Sequence, residues 1–334
     1  MPASDANMTV CLLSHNNAST IRGCVDSVLH QSTPNWRLII SDDCSTDGTH
    51  AAVRHYLSDK RVSLVKHAKN IGQARNWAYA LASAETEQIA TLHADDAMEP
   101  DAIAKVTRHF HNHRDSELVF TNWSVMDASL RHLIRQGPND RTMQFGTEDG
   151  FGFIVRHNRT LPSASFLTKS LLDRAGLPGT RCPMLCDREF FLRLSRSSLR
   201  TDILSINTAR YRINPAGVTA TQGLSHQYFA DQRELACCVS EMAVDHPDGV
   251  GLVRHFRDSI AIGMLRSIWR GILRGQLDLH AEEVAQWKHW SSELSPRPNL
   301  SIKDSTMRLF ASYPAIGVAA YAFLNRSPKW HSCN

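Results

Sequence analysis

The sequence predicts an α/β fold, a parallel sheet with helices on both faces, followed by a mainly helical extension. Three observations predict it. Short apolar runs alternate with amphipathic stretches over about the first 120 residues. Polar clusters stand at the ends of those runs. Beyond residue 225 the apolar spacing is helical almost throughout.

Val10 to Leu13 is the first strand, ending in the turn-prone Ser14-His15-Asn16-Asn17. Ile21, Val25, Val28 and Leu29 then recur at helical spacing. Leu38 to Ile40 is a second strand, stopped by Ser41-Asp42-Asp43, and Asp47-Gly48-Thr49 opens a helical stretch through Tyr56 and Leu57. Val62 to Val65 and Ile89 to Leu92 are the third and fourth strands, with a helix over residues 72–83 between them. Asn122 to about Thr160, with glycines at 137, 146, 150 and 152, reads as loops with short elements. Ser170 to Ala175 and Arg188 to Leu194 read as helices. The helical tail is broken at Asp245 to Gly249 and at Ser295 to Pro298. The domain boundary is placed between residues 225 and 226.

The bulk composition excludes several classes. With 334 residues, 42% hydrophobic and 21% charged, the chain is an ordinary globular protein. A formal net charge of +4 is too small to imply nucleic-acid binding. Met1 to Asn7 is polar and lacks the basic start and apolar core of a secretory signal. The eight cysteines show no zinc or disulfide spacing, and a reducing, cytoplasmic setting is expected. Leu309 to Leu324 is an uncharged apolar segment, shorter than the ~20 residues of a membrane span and carrying Pro314 and Gly317.

In parallel sheets, ligands gather outside the carboxyl ends of the strands. Three polar clusters fall there: Ser14 to Asn16, Asp42-Asp43, and His93-Ala94-Asp95-Asp96. Paired carboxylates at strand ends either cap the next helix or hold a ligand, since unpaired buried charge is costly. Capping accounts for Asp47 but less well for Asp42-Asp43. Asp95-Asp96 offer oxygen ligands of the kind that suit Mg²⁺ or Mn²⁺, which share substrate phosphates; a solvated helix start is the plainer alternative. His109, His111 and His113 alternate within Arg108 to Arg114, but these spacings do not converge on one helical face, so a solvated helix end is expected.

Four motifs in one order carry a resemblance: Val10 to Asn16, Ser41 to Thr49, Asn70-Ile71-Gly72-Gln73-Ala74-Arg75-Asn76, and Leu92 to Asp96. Together they resemble family 2 glycosyltransferases over about residues 8–125. The likeness continues more loosely through Leu185 to Leu194 and Tyr211-Arg212-Ile213-Asn214. The resemblance implies a GT-A fold over residues 1–225, a Rossmann-like nucleotide-sugar-binding sheet with helices on both faces; it does not cover residues 226–334, which their own helical pattern makes an extension that could face acceptor or membrane surface. By it, Ser14 and Asn16 line the nucleotide base and ribose, Asp43 contacts the base, and Arg75 lies near the nucleotide. Asp95 and Asp96 match the metal- and ribose-binding end of the family's Asp-x-Asp motif, with His93 at its first position. Asp187 matches the general base, which takes the proton of the acceptor hydroxyl. Such help is typically worth ~10²–10⁴-fold in rate. The plain alternative for Asp187 is a helix N-cap.

Three departures from the family pattern stand out: His93 for an aspartate, Cys186 where glutamate is common, and Asn214 where histidine often follows Tyr-Arg. The implied activity is transfer of a sugar, as in hexosyltransferases, from a UDP- or dTDP-sugar to an acceptor hydroxyl, with inversion and with Mg²⁺ or Mn²⁺. The implied setting is assembly of a surface polysaccharide or glycolipid. The rival is a non-catalytic nucleotide-sugar-binding module of the same fold. A sugar-1-phosphate nucleotidyltransferase would want a Gly-rich phosphate loop after the first strand, which Ser14 to Asn17 does not supply.

The extension adds one signal of its own. Residues 251–275 hold five arginines against one aspartate, and Arg266, Arg270 and Arg274 share a helical face. Ile260, Met264, Leu265, Ile268, Trp269 and Ile272 form a broad apolar surface beside it. A helix of this kind either lies on an anionic membrane at its cytoplasmic face or packs on the rest of the protein.

Overall fold

Seven residues of unbroken burial, Met8–Ser14, form β1, the strand from which the sheet grows in both directions. The structure, a computed structural model, describes residues 6–127, 132–136, 142–157, 160–214, 217, 224–273 and 282–294. The chain falls into two units, residues 1–216 and 217–334.

In the first unit, β2 (Trp36–Asp42) and β4 (Gln88–His93) flank β1 in parallel, and β3 (Val62–Lys66) pairs parallel with β2. Beyond β4 the sheet is mixed. β5 is Ala97–Met98, β6 Leu118–Met126, β7 His132–Gln136, β8 Met143–Gly146, β9 Ser165–Thr168 and β10 Arg200–Arg212. The strand order is β3-β2-β1-β4-β9-β6-β10-β5, with β7 added on β6 and β8 on β10. β9 runs antiparallel to both its neighbours, while β10 runs parallel to β6. The expected parallel sheet is therefore its N-terminal half.

Alternation along the strands sets the two faces. Met8, Val10, Leu12, Leu38, Ile40, Ala90 and Leu92 pack with Ile21, Val25 and Val28 of α1 (Ile21–Leu29) and with Ile103 and Val106 of α4 (Ala102–Asn112). Cys11, on the opposite face, donates to the Ala80 carbonyl of α3 (Gln73–Ala82), and Trp77 of α3 donates to Thr91 at 3.1 Å. Trp77 packs edge-on against Phe190 and Phe191 of α7 (Cys186–Ser197) at 5.0 and 5.8 Å, so these three rings join α3 to the helix that carries Asp187.

Three elements differ from expectation. The helical stretch after Gly48 is α2 (Thr49–Val53) followed by a 3₁₀ turn over Arg54–Ser58. The region from residue 122 holds the buried second half of β6 and α5 (Thr147–His157), not mainly loop. β6 hides from apolar counting because it carries buried polar residues, two of them paired with β10: Thr121 with Thr208 at 2.5 Å, and Ser124 with Asn207 at 2.9 Å. Gly150 belongs to α5, where a Cβ would come to 3.0 Å from the Thr201 side chain; the glycine lets helix and β10 approach closely. The third difference is His109. It is tied to buried Asp202 at 2.7 Å, and Arg200 braces the same carboxylate at 3.0 Å, so this part of α4 is anchored rather than solvated.

The second unit contains α8 (His226–Met242), α9 (Gly249–Leu273) and α10 (Glu282–Leu294). Ser225 caps α8 by accepting from the Tyr228 amide at 3.2 Å. Phe229 stacks on Trp287 at 4.3 Å, and Ile260, Met264 and Ile268 of α9 are buried. That part of the α9 apolar surface is covered, while Arg254, Arg257 and Arg266 are exposed. Arg274, Leu309 to Leu324, and the side chains of Trp269, Arg270 and Ile272 lie outside the described residues. No helix among the described residues is long and apolar enough to cross a membrane.

Candidate active site

Parallel register brings the polar clusters to one edge. Ser14 stands beside Asp42, and Leu13 beside His93, so the ends of β2, β1 and β4 form a contiguous rim.

On the β2 side the two aspartates do different work. Asp42 is fully buried and wholly internal: it accepts from the Ser45 amide at 2.9 Å, the Ser45 hydroxyl at 2.5 Å and His50 at 2.7 Å. Asp43 accepts from the main-chain amides of Ile71 at 2.6 Å and Gly72 at 2.9 Å. Gly72 has φ +87°, a conformation open to glycine, and directly precedes α3. Asp43 therefore sets the loop that leads to Arg75, which is exposed in the first turn of α3. Asn16, at φ +54°, donates its amide to Ser45 at 2.8 Å and accepts from the Thr46 amide at 2.9 Å. Ser14 is buried and accepts the Asp43 amide on its carbonyl at 2.8 Å. Asp47 ties down the same loop by accepting from Ala18 and Thr49, one residue ahead of the Gly48 N-cap.

On the β4 side, a turn closed by the Asp96 amide on the His93 carbonyl at 3.0 Å folds three side chains together. One ring nitrogen of His93 and one carboxylate oxygen from each of Asp95 and Asp96 lie within 4.8 Å of one another. Asp96 is 2% exposed and held on both oxygens, by the Ser163 hydroxyl at 2.6 Å and the Arg212 amide at 3.1 Å. Burial first, and the neighbouring Asp95 charge second, push its carboxyl up to about 7, against the pull of those two hydrogen bonds. Asp95 accepts on its carbonyl from Arg212 at 2.9 Å and meets the Asn214 amide at 3.4 Å. Asn214 thus sits at the cluster as a donor, where a histidine would have offered a lone pair. His93 Nε2 is buried with no hydrogen-bond partner. An orphaned nitrogen lone pair beside two crowded carboxylates is a donor set that fits a divalent cation.

Asp187 is the second residue of α7, two residues past its Leu185 N-cap, so it is not itself the cap. Its carboxylate makes no hydrogen bond or ion pair among the described residues, including with the other site residues. Glu189, two residues on, is committed: both its oxygens hold Arg193, at 2.8 and 3.2 Å. Ser163 and the Arg212 main chain were not singled out from sequence. Ser163 lies in a 3₁₀ turn (Pro162–Ala164) before β9, a stretch with no motif, and Arg212 lay within a motif without an assigned role.

The sheet and its strand-end site define a GT-A glycosyltransferase fold. Residues 9–166 match the model of Glycosyl transferase family 2. Among relatives, TuaG of Bacillus subtilis (strain 168), assigned by name to teichuronic acid biosynthesis, is 37% identical over 120 residues, 36% of this chain and 47% of TuaG. WfgD of Escherichia coli, named a UDP-Glc:α-D-GlcNAc-diphosphoundecaprenol β-1,3-glucosyltransferase, is 37% identical over 94 residues, 28% of this chain and 36% of WfgD. The chain thus spans about half or less of the length of these relatives. The crystal structure of S. aureus TarS 1–349 shares the fold, with TM-score 0.67 and 17% identity over 87% of this chain and 81% of that one. The same protein in complex with UDP-GlcNAc gives TM-score 0.64 at 14% identity, over 87% and 90%.

Proposed function

We propose that this protein transfers a sugar from a UDP- or dTDP-sugar to an acceptor hydroxyl with inversion, in assembly of a surface polysaccharide or glycolipid. The observation that carries the reading is the convergence of His93, Asp95 and Asp96 at the end of β4, beside the rim formed by Ser14 and Asp43. WfgD's named substrates and the UDP-GlcNAc held by TarS support a UDP-sugar donor and a lipid-linked glycan acceptor.

In this reading Ser14, Asn16 and Asp43 line the base and ribose, Arg75 stands near the nucleotide, and His93, Asp95 and Asp96 face the diphosphate. Mg²⁺ or Mn²⁺ held by Asp95 and Asp96 would supply positive charge against that building on the departing diphosphate. Asp187 takes the proton of the acceptor hydroxyl as its oxygen forms a bond to the anomeric carbon. The bond from that carbon to the diphosphate breaks, and the nucleoside diphosphate leaves with the electron pair. One displacement inverts the centre. The uncommitted carboxylate of Asp187 suits a proton acceptor better than Glu189, whose oxygens are already paired with Arg193.

A thermal-shift screen of nucleotide-sugars with and without Mn²⁺ tests the donor. A metal-dependent rise in Tm with UDP- or dTDP-sugars is expected, because a ligand that binds the folded state stabilises it by mass action. No shift with any of them would end the reading, and binding without hydrolysis or transfer would favour the non-catalytic module.

Peripheral contact with an anionic membrane belongs to the same reading. With Ile260, Met264 and Ile268 of α9 buried, that contact rests on charge, and each arginine near the surface contributes on the order of 1 kcal/mol of screened attraction. Cosedimentation with anionic vesicles is expected at low salt and should fade as salt rises. Absence of binding at low salt would leave the helices as packing elements alone.

A further inference from the structure

The family pattern explains two carboxylates at the end of β4, but not the imidazole beside them. His93 is the last residue of β4, and its main chain is fixed twice: its carbonyl accepts the Asp96 amide at 3.0 Å, and its amide donates to Ser163 at 3.1 Å. Ser163 donates its own hydrogen bond to Asp96 at 2.6 Å, so one hydroxyl orients both the histidine backbone and the acid. One ring nitrogen lies within 4.8 Å of a carboxylate oxygen from each of Asp95 and Asp96, and the ring's Nε2 is buried with no hydrogen-bond partner. A buried nitrogen left in this state, next to two acids it does not hydrogen-bond, is what a ligand set looks like before its ion arrives.

We propose that the His93 imidazole is a direct ligand of the divalent cation, and that it makes the site select Mn²⁺ or another first-row transition ion over Mg²⁺. The inference rests on the reading of this site as the cation and diphosphate site. Its chemistry follows from ligand type. Mg²⁺ takes oxygen ligands and keeps several waters, so an all-carboxylate site serves it well. Imidazole nitrogen is a softer donor that first-row transition ions accept and Mg²⁺ disfavours. Exchanging one carboxylate for one imidazole also lowers the negative charge of the site. That costs Mg²⁺ affinity, whereas a transition ion is compensated by the nitrogen bond.

The test uses the full chain with UDP as the probe. Mn²⁺ and Mg²⁺ affinities are measured by calorimetry for the wild type, His93→Asp and His93→Gln, and bound Mn²⁺ is examined by electron spin-echo modulation. The wild type should show ¹⁴N modulation of the imidazole type, changing to the ¹⁵N pattern when histidines alone are labelled. Both variants should lose it. His93→Asp should lower the ratio of Mn²⁺ to Mg²⁺ affinity by at least about tenfold while still binding Mg²⁺. UDP-dependent Mn²⁺ binding without a histidine nitrogen signal, or with an unchanged ratio in His93→Asp, would overturn the role of His93 and leave the site standing. Mn²⁺ binding that is absent, or indifferent to UDP, would overturn the site reading as well. The wild-type spectrum decides the matter even if a variant folds poorly.

Discussion

Replacing Asp187 with asparagine is expected to cut transfer by at least about a hundredfold, the low end for loss of a positioned general base, with donor binding nearly unchanged. The substitution keeps the shape of the side chain and removes its capacity to take a proton. Asp187 has no partner among the described residues, so no network collapses with it, and α7 stays anchored through Phe190 and Phe191 on Trp77. A fall in kcat with unaltered nucleotide affinity in calorimetry is the signature. Turnover near wild type would place the base elsewhere. Glu189, the nearest acid in sequence, would be a poor successor because Arg193 holds it on both oxygens.

The double substitution Asp95→Asn/Asp96→Asn is expected to abolish metal-dependent UDP or dTDP binding and leave the protein folded. Two neutral amides remove the negative charge that draws the cation, and they also remove the desolvation cost and the Asp95 repulsion that ionised Asp96 bears. Burial first and that repulsion second give a pH dependence in the parent protein. Asp96 is protonated below about 7 and ionised above it, so cation affinity should rise as pH climbs through that value. In the absence of cation the sign reverses for stability: ionising a carboxyl whose folded pKa is raised weakens the fold as pH increases. Calorimetry with and without Mn²⁺ across pH checks both. Nucleotide affinity indifferent to the double substitution would sink the assignment.

Most of the N-terminal half was legible because its strands are apolar and parallel. Val10 to Leu13, Leu38 to Ile40 and Ile89 to Leu92 each fall inside a strand, and helix periodicity placed α1 and α3. The candidate site was legible as motifs in order, and the sheet register puts Ser14, Asp42 and His93 on neighbouring strands. What escaped was held by pairing rather than by pattern. β6 and β10 pair Thr121 with Thr208 and Ser124 with Asn207, and such polar strands look like loop to a reader counting apolar residues. Asp42 looked equivalent to Asp43, because nothing in the local sequence says that Ser45 and His50 will consume the first carboxylate. Ser163 and the Arg212 amide reach Asp96 from 67 and 116 residues away, distances that no local pattern spans.

The grip of Asp43 on the Ile71 and Gly72 amides has a bearing on how this surface is to be dissected. One carboxylate both lines the rim and holds the loop from which Arg75 projects. Truncating it would slacken the loop and displace the arginine in the same stroke. The measured loss at position 43 would then already contain part of the loss at position 75, and the two single substitutions would sum to more than the double. On the proposed reading, recognition is a shared property of two residues 32 positions apart in the chain, and a one-at-a-time scan would count it twice.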